Sequence, residues 1–284
     1  MQKQRKDFFT KNKDIIIQEL SSHKILSTEQ LSSYLEKFKE NNLVTKNLYY
    51  SKFLLKLIDL GLQQHTVLIK GVSKTRYTFD TNLDSYAFVN SFEKYGFFSM
   101  STALNIQGFT NFNKDFIFYS NEQQAKDYYR KDENLSQKSI DNAFSKEYRY
   151  THKRVKYMDK SIVILNPKHT NEIGVIDFKE YRVSSINRVF VEMIVNLQYF
   201  KSYNTILDVF QALKNELNID EIFHIIQEFK FIYPYFQLFG FTLEKLGYKR
   251  NELFKFSNEI EDLKFYTQKN LEKYTLDEYW NIYY

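Results

Sequence analysis

The chain contains no cysteine among its 284 residues. That absence excludes disulfides, thiol nucleophiles and thiolate metal sites together. Glycine and proline are also scarce, 7 and 2 residues, which favours regular elements over loops. There is no glycine-rich phosphate loop, dinucleotide fingerprint or GxSxG elbow. The five histidines, His23, His65, His152, His169 and His224, are scattered, without the spacing of a metal site. No apolar run reaches the roughly 18 residues of a membrane helix, and the start MQKQRKDFFTKNKD lacks a signal-peptide core. A cytoplasmic protein without cofactor, metal or membrane partner is expected.

Aromatic residues are abundant instead, with 23 Tyr and 27 Phe, and 43% of the chain is hydrophobic. Such a chain folds around large aromatic anchors, and its length suits two ordinary domains. The net charge of +5 is unevenly placed: residues 1–80 hold 14 Lys and Arg against 8 Asp and Glu, the remainder 26 against 27. An amino-terminal part that meets a polyanion is therefore expected.

Asn12 is expected to cap a helix carrying Ile15, Ile16 and Leu20 and ending near Ser21 and Ser22. Ser27 and Gln30 form a capping box for a second helix, with Leu31, Tyr34, Leu35 and Phe38 on one face. A third runs from about Asn47 to Leu60, closed by Gly61. It should bury Phe53, Leu54, Leu57 and Ile58 and turn Tyr49, Lys52, Lys56 and Asp59 outward. Two β-like runs, Val67 to Lys70 and Arg76 to Phe79, flank a polar tip with Gly71 and Ser73. Three helices and a hairpin follow the order of a winged helix-turn-helix, whose third helix enters the major groove while the hairpin follows the backbone. Tyr49, Lys52 and Lys56 are the candidate groove residues, and Lys70, Lys74 and Arg76 the candidate phosphate contacts. Lysine outnumbers arginine here, so phosphate contacts are expected over bidentate guanine reading.

The expected domains are a winged helix over 1–83 and a mixed α+β domain over 84–284, an α+β protein overall. In the second, Ser99 should cap a short helix ended by Gly108, and FIFYS at Phe116 to Ser120 reads as a strand. Residues 120–145 read as loop or solvated helix. Strands are expected over Tyr148 to Tyr157, Ser161 to Leu165, Gly174 to Asp177 and Tyr181 to Val183. Four helices follow, the first capped by Ser185, the third by an Asn218/Glu221 capping box, and the fourth opened by Pro234 and ended by Gly247. Leu253 to Phe256 and the final LDEYWNIYY read as strand. Lys146 to Lys160, KEYRYTHKRVKYMDK, is a basic run with interleaved tyrosines, either a solvated strand pair or a second nucleic-acid surface.

One alternative is enzymatic. Alternation would put Asp177 and Lys179 on one strand face, as at the metal-binding edge of restriction-type nucleases.

Three segments, in order, resemble the AbiEi-type antitoxins, the transcriptional-regulator halves of abortive-infection type IV toxin–antitoxin pairs. In FSMSTALNIQGFT, Phe98 to Thr110, the matching residues are Ser99, Ala103, Leu104, Gly108 and Thr110. In VSSINRVFVEMIVN, Val183 to Asn196, they are Ser185 and Arg188, with Glu192 where Asp is usual. IYPYFQLFGFTLEKLGY, Ile232 to Tyr248, is similar to an aromatic-rich helix ending in Leu-Glu-x-x-Gly. Asn187, Val189, Met100 and Gln107 depart from the family's usual Glu, Thr and two histidines. The resemblance implies a non-enzymatic autorepressor whose winged helix occupies double-stranded DNA upstream of its own phage-defence operon. It also implies a nucleotidyltransferase-like toxin as functional partner, without a stable complex. Ser185, Arg188 and Glu192 are read as fold-stabilising.

Overall fold

The computed structural model describes residues 7–125, 135–270 and 273–284. Its contacts divide the chain into two units, residues 1–94 with 155–160, and residues 95–154 with 161–284.

In the first unit α1 (Phe8–Ser21) begins at Asp7, whose carboxylate accepts the Thr10 N–H at 2.7 Å. Asn12, the expected cap, lies inside the helix and donates to the carbonyls of Phe8 and Leu43. The earlier start brings Phe9 onto the buried face. After β1 (Leu26–Ser27) comes α2 (Thr28–Glu40), opened by the full Ser27/Gln30 capping box. Helix α3 (Tyr50–Ile58) is shorter than expected, because Tyr49 is extended and its side chain makes no cap bond. Ile16, Leu20, Leu31, Leu35, Phe38, Phe53 and Leu57 form the core, whereas Ile58, expected inside, is exposed.

Strands β2 (Gln63–Ile69) and β3 (Val72–Thr78) pair so that Ile69 faces Val72. Lys70 and Gly71 are left as a two-residue turn with φ of 51° and 78°. Tight hairpins need positive φ at both central residues to match the strand twist, which is why a glycine stands here. Strand β1 pairs with β3 and ties the hairpin to the helices in a sheet of order β1-β3-β2. Helix α4 (Ser85–Asn90), capped by Asp84, also belongs to this unit. Phe88 lies 4.1 Å from Tyr157 between ring centroids and packs beside His65, so the unit runs on to Lys94.

The second unit opens with β4 (Phe97–Phe98), α5 (Met100–Gln107), β5 (Phe116–Ser120) and α6 (Gln137–Phe144). Next along the chain come β6 (Arg154–Tyr157), whose residues 155–157 belong to the first unit, and then β7 (Lys160–Leu165), β8 (Val175–Phe178) and β9 (Tyr181–Ser184). Within this unit the sheet order is β7-β5-β4-β9-β8, with β5/β7 and β4/β9 parallel. The β5 run Ile117-Phe118-Tyr119 is wholly buried, as a strand covered on both faces should be. Tyr148 to Tyr157 becomes strand only from Arg154.

Helices α7 (Ile186–Val195), α8 (Tyr203–Leu213), α9 (Ile219–Phe229), α10 (Tyr235–Lys245) and α11 (Phe254–Ser257) follow. Leu253 to Phe256, expected as strand, makes the helical turn α11. Leu253 and Phe256 are buried three residues apart while Phe254 is exposed, a helical rather than an alternating pattern. The tail adds β10 (Phe265–Tyr266), β11 (Leu276–Asp277) and β12 (Ile282–Tyr283), a small sheet of order β10-β12-β11. The chain is a mixed α+β protein, and no helix among the described residues is long and apolar enough to cross a membrane.

Trp280, between β11 and β12, is fully buried against α10 at Gly240, where a Cβ would meet its ring at 2.1 Å. Gly240→Ala is expected to destabilise the fold by about 1–3 kcal/mol through overpacking. Urea unfolding checks this, and an unchanged midpoint would contradict the packing.

Candidate functional site

Tyr49, the extended residue just before α3, is 71% exposed, Lys52 of α3 faces solvent, and Lys70 is exposed at the tip of the β2–β3 hairpin. Lys56 is drawn back, its ammonium bonded to Asp7 at 2.7 Å and lying over the Phe9 ring. That bond, with the Thr10 hydroxyl and N–H, holds the Asp7 carboxyl down at about 2. Lys74 bonds Glu93 at 2.9 Å. Arg76 is buried: its Nε donates to the Ser91 hydroxyl at 2.9 Å, Nη1 donates to the Thr75 carbonyl, and the guanidinium covers Phe92.

Residues 74 and 76 share one face of β3, and that face meets Ser91 to Glu93. Of the six expected DNA contacts, the structure therefore leaves Tyr49, Lys52 and Lys70 outward and engages Lys56, Lys74 and Arg76 within the protein. Exposed Leu68 and Val72 flank the same tip and were not among the expected contacts. Val72 directly follows the two-residue turn and Leu68 stands one residue before its other flank, the buried Ile69. Lys3, Arg5 and Lys6, part of the basic excess, lie outside the described residues.

In the second unit Ser185 caps α7, accepting the Arg188 N–H at 3.3 Å. Arg188 in the first turn has no solvent exposure. Its Nε donates to Glu192 at 2.8 Å, Nη2 to Glu122 at 3.1 Å and Nη1 to the Ile173 carbonyl at 2.6 Å. The rings of Phe97 and Phe229 lie 4.7 and 5.3 Å from the guanidinium. Glu192 also accepts the Ser184 hydroxyl and, at 3.0 Å, the N–H of Met100. Met100 has φ 49°, left-handed backbone that costs a non-glycine residue about 1–2 kcal/mol. Burial by itself would raise the Glu122 carboxyl. The Thr170 hydroxyl and N–H, the Arg188 charge and the Glu172 N–H outweigh it, leaving Glu122 below its ordinary value.

This cluster floors a cleft of about 710 Å³ whose wall includes Phe229 and Ile232. All three segments singled out in the sequence reach it: Met100 from the first, Arg188 and Glu192 from the second, Ile232 to Tyr235 from the third. The departing residues have structural partners. Asn187 donates to Glu221 at 2.7 Å, and Gln107 donates to the Ser184 carbonyl at 3.0 Å. Glu221 turns to Asn187 and Ser185, so α9 is capped by Asn218 alone rather than by the expected box.

Asp177 and Lys179 are not on one strand face. Strand β8 ends at Phe178, and Lys179, at φ 55°, forms the turn into β9 while Asp177 faces Arg182 across the pair. Glu172, the neighbouring acid, is bound by Arg182. No group of three His, Cys, Asp or Glu placed to hold a metal occurs among the described residues.

No family model matches the chain, and no curated protein does. Among solved structures, the chain is similar to the crystal structure of the RV2827C protein from Mycobacterium tuberculosis. The TM-score is 0.60 at 9% identity, over 96% of this chain and 91% of that one. At that identity the likeness concerns the α+β fold.

Glu122 carries a depressed pKa, so its stabilising contribution is present above the unfolded carboxyl value of about 4.3 and is lost as pH falls through the folded value. Glu122→Gln should therefore cost about 2–3 kcal/mol at pH 7, with the gap to wild type narrowing below about pH 4. Chemical unfolding across pH checks this, and an equal gap at both ends would contradict it.

Proposed function

We propose that the first unit is a winged helix-turn-helix that binds double-stranded DNA. The observation carrying this reading is the paired display of α3 and the hairpin. Tyr49 just before α3 and Lys52 within it stay in solvent, and the two-residue turn holds Lys70 at the tip of a hairpin that β1 fastens to the helical core. Neither lysine has an ion-pair partner among the described residues. A cation left solvated on a rigid tip is free to replace the counterions of a phosphate backbone. Leu68 and Val72 beside it suit contact with sugars, while Tyr49 stands at the start of the helix that would face the groove.

The three resembling segments extend the reading to an autorepressor and antitoxin of a type IV toxin–antitoxin operon. Its functional partner would be a nucleotidyltransferase-like toxin, met without a stable complex. In this reading the chain acts by binding, and Ser185, Arg188 and Glu192 serve the fold that carries the function. Arg188 joins segments distant in sequence and is enclosed by carboxylates and rings, which supports a tie over a reactive group.

Changing Lys52 and Lys70 together to Ala should weaken binding to a duplex from upstream of the gene whatever its sequence. It should also flatten the plot of log affinity against log salt by about 0.9 for each phosphate no longer neutralised, so by about 2 for the pair. Arg76→Ala should lower thermal stability first, because it empties a buried hydrogen-bonded site. Fluorescence anisotropy across a salt series checks this. A slope unchanged by the double substitution would remove both lysines from the interface.

A further inference from the structure

A second cleft in the larger unit, about 520 Å³, lies between α6, the following segment 146–149 and the chain at 265–269. Its lining includes the rings of Phe144, Tyr148 and Tyr266 beside those of Tyr233, Tyr235 and Phe265. Tyr266 is stacked on Phe144 at 4.8 Å and on Tyr283 at 5.0 Å, which leaves Phe144 and Tyr148 as the rings for a ligand. Its cations are Lys146, Arg149 and Lys269. Tyr266 is fixed by donating its hydroxyl to Asp141 at 2.8 Å, and Tyr148 by accepting the Lys269 N–H at 3.0 Å. Lys269 lies 5.3 Å from the Tyr148 centroid and 5.9 Å from that of Phe144, with its ammonium held on the carbonyls of Lys146 and Glu147.

Lys146 and Arg149 are exposed and form no salt bridge among the described residues. Burial, then the nearby Arg149, pulls the Lys269 ammonium below its usual value, with Lys146 adding to the effect. Three cations against the single carboxylate of Glu147 in the lining leave an unanswered positive field. Rings and cations side by side are the two halves of nucleotide recognition, one for the base face and one for the phosphate.

We propose that this cleft binds a nucleotide unit, its base against the Phe144 and Tyr148 rings and its phosphate on Lys146, Arg149 and Lys269. The unit is presented either as a free nucleotide or at the end of a single strand. The site would give the larger unit a ligand of its own, and it does not depend on the duplex-binding reading of the first unit.

Calorimetry on the full chain with ATP and with a six-residue oligoadenylate tests this, with inorganic tripolyphosphate as the probe lacking a base. Saturable binding of at least one nucleotide probe below about 1 mM is expected, at least about tenfold tighter than tripolyphosphate. ATP alone binding identifies the free nucleotide as the source, and the oligonucleotide alone identifies the strand end. The exposed-site reversal Lys146→Glu with Arg149→Glu should weaken that binding about tenfold or more and leave affinity for upstream duplex DNA unchanged. Should the double reversal lower the melting temperature, Arg149→Ala repeats the test. Saturation by neither probe, equal binding of tripolyphosphate, or full binding by the reversed variant would overturn the proposal. Loss of duplex affinity in that variant would also overturn it, by placing these cations in a duplex interface.

Discussion

One guanidinium organises the larger unit. Arg188, buried in the first turn of α7, reaches Glu122 across 66 residues, Glu192 on its own helix and the carbonyl of Ile173. Water cannot solvate a charge so placed, so every contact must come from the protein, and removing any one leaves a buried ion underpaired. This requirement explains the surroundings. Phe97 and Phe229 cover the guanidinium, Thr170 and the Glu172 N–H complete Glu122, and Met100 accepts a left-handed backbone while its N–H completes Glu192. The edge of the central sheet, the start of α5 and the start of α7 are thereby held in one arrangement. The larger cleft lies directly above them.

The smaller unit follows a different rule, in which charge is sorted by whether it has a local partner. Lys56 secures the beginning of α1 through Asp7, Arg76 anchors the segment after α4, and Lys74 meets Glu93. Of the candidate contacts, Tyr49, Lys52 and Lys70 remain in solvent, on a helix start and a hairpin turn, while Lys11, Lys13 and Lys46 are exposed elsewhere in the unit. A positive excess in the sequence is thus partly structural mortar and partly free surface. The proposed DNA reading rests on the second portion.

Much of the local structure was legible because its determinants are local. The Ser27/Gln30 box, the Ser185 and Asn218 caps and Gly108 at the end of α5 each act within a few residues of themselves. The misreadings occur where a distant partner decides. Arg76 reads as a surface cation until Ser91 is seen beside it, and Lys56 until Asp7, 49 residues earlier, is brought near. Leu253 to Phe256 has strand-like composition, but its buried pair follows the helical period. The Arg188 cluster was half visible. Ser185, Arg188 and Glu192 could be singled out along one helix, whereas Glu122 and Thr170 come from loops that carry no periodic signal, and Met100 joins through its backbone N–H at the start of α5.

The proposed duplex interface is the exposed start of α3 together with the hairpin tip. Amide hydrogen exchange of the full chain, with and without a duplex from upstream of its gene, tests this most directly. Slowed exchange concentrated in Tyr49–Ile58 and Leu68–Ser73, with the larger unit unchanged, is the predicted result. Protection confined to the larger unit, or no protection at a saturating concentration of DNA, would contradict it.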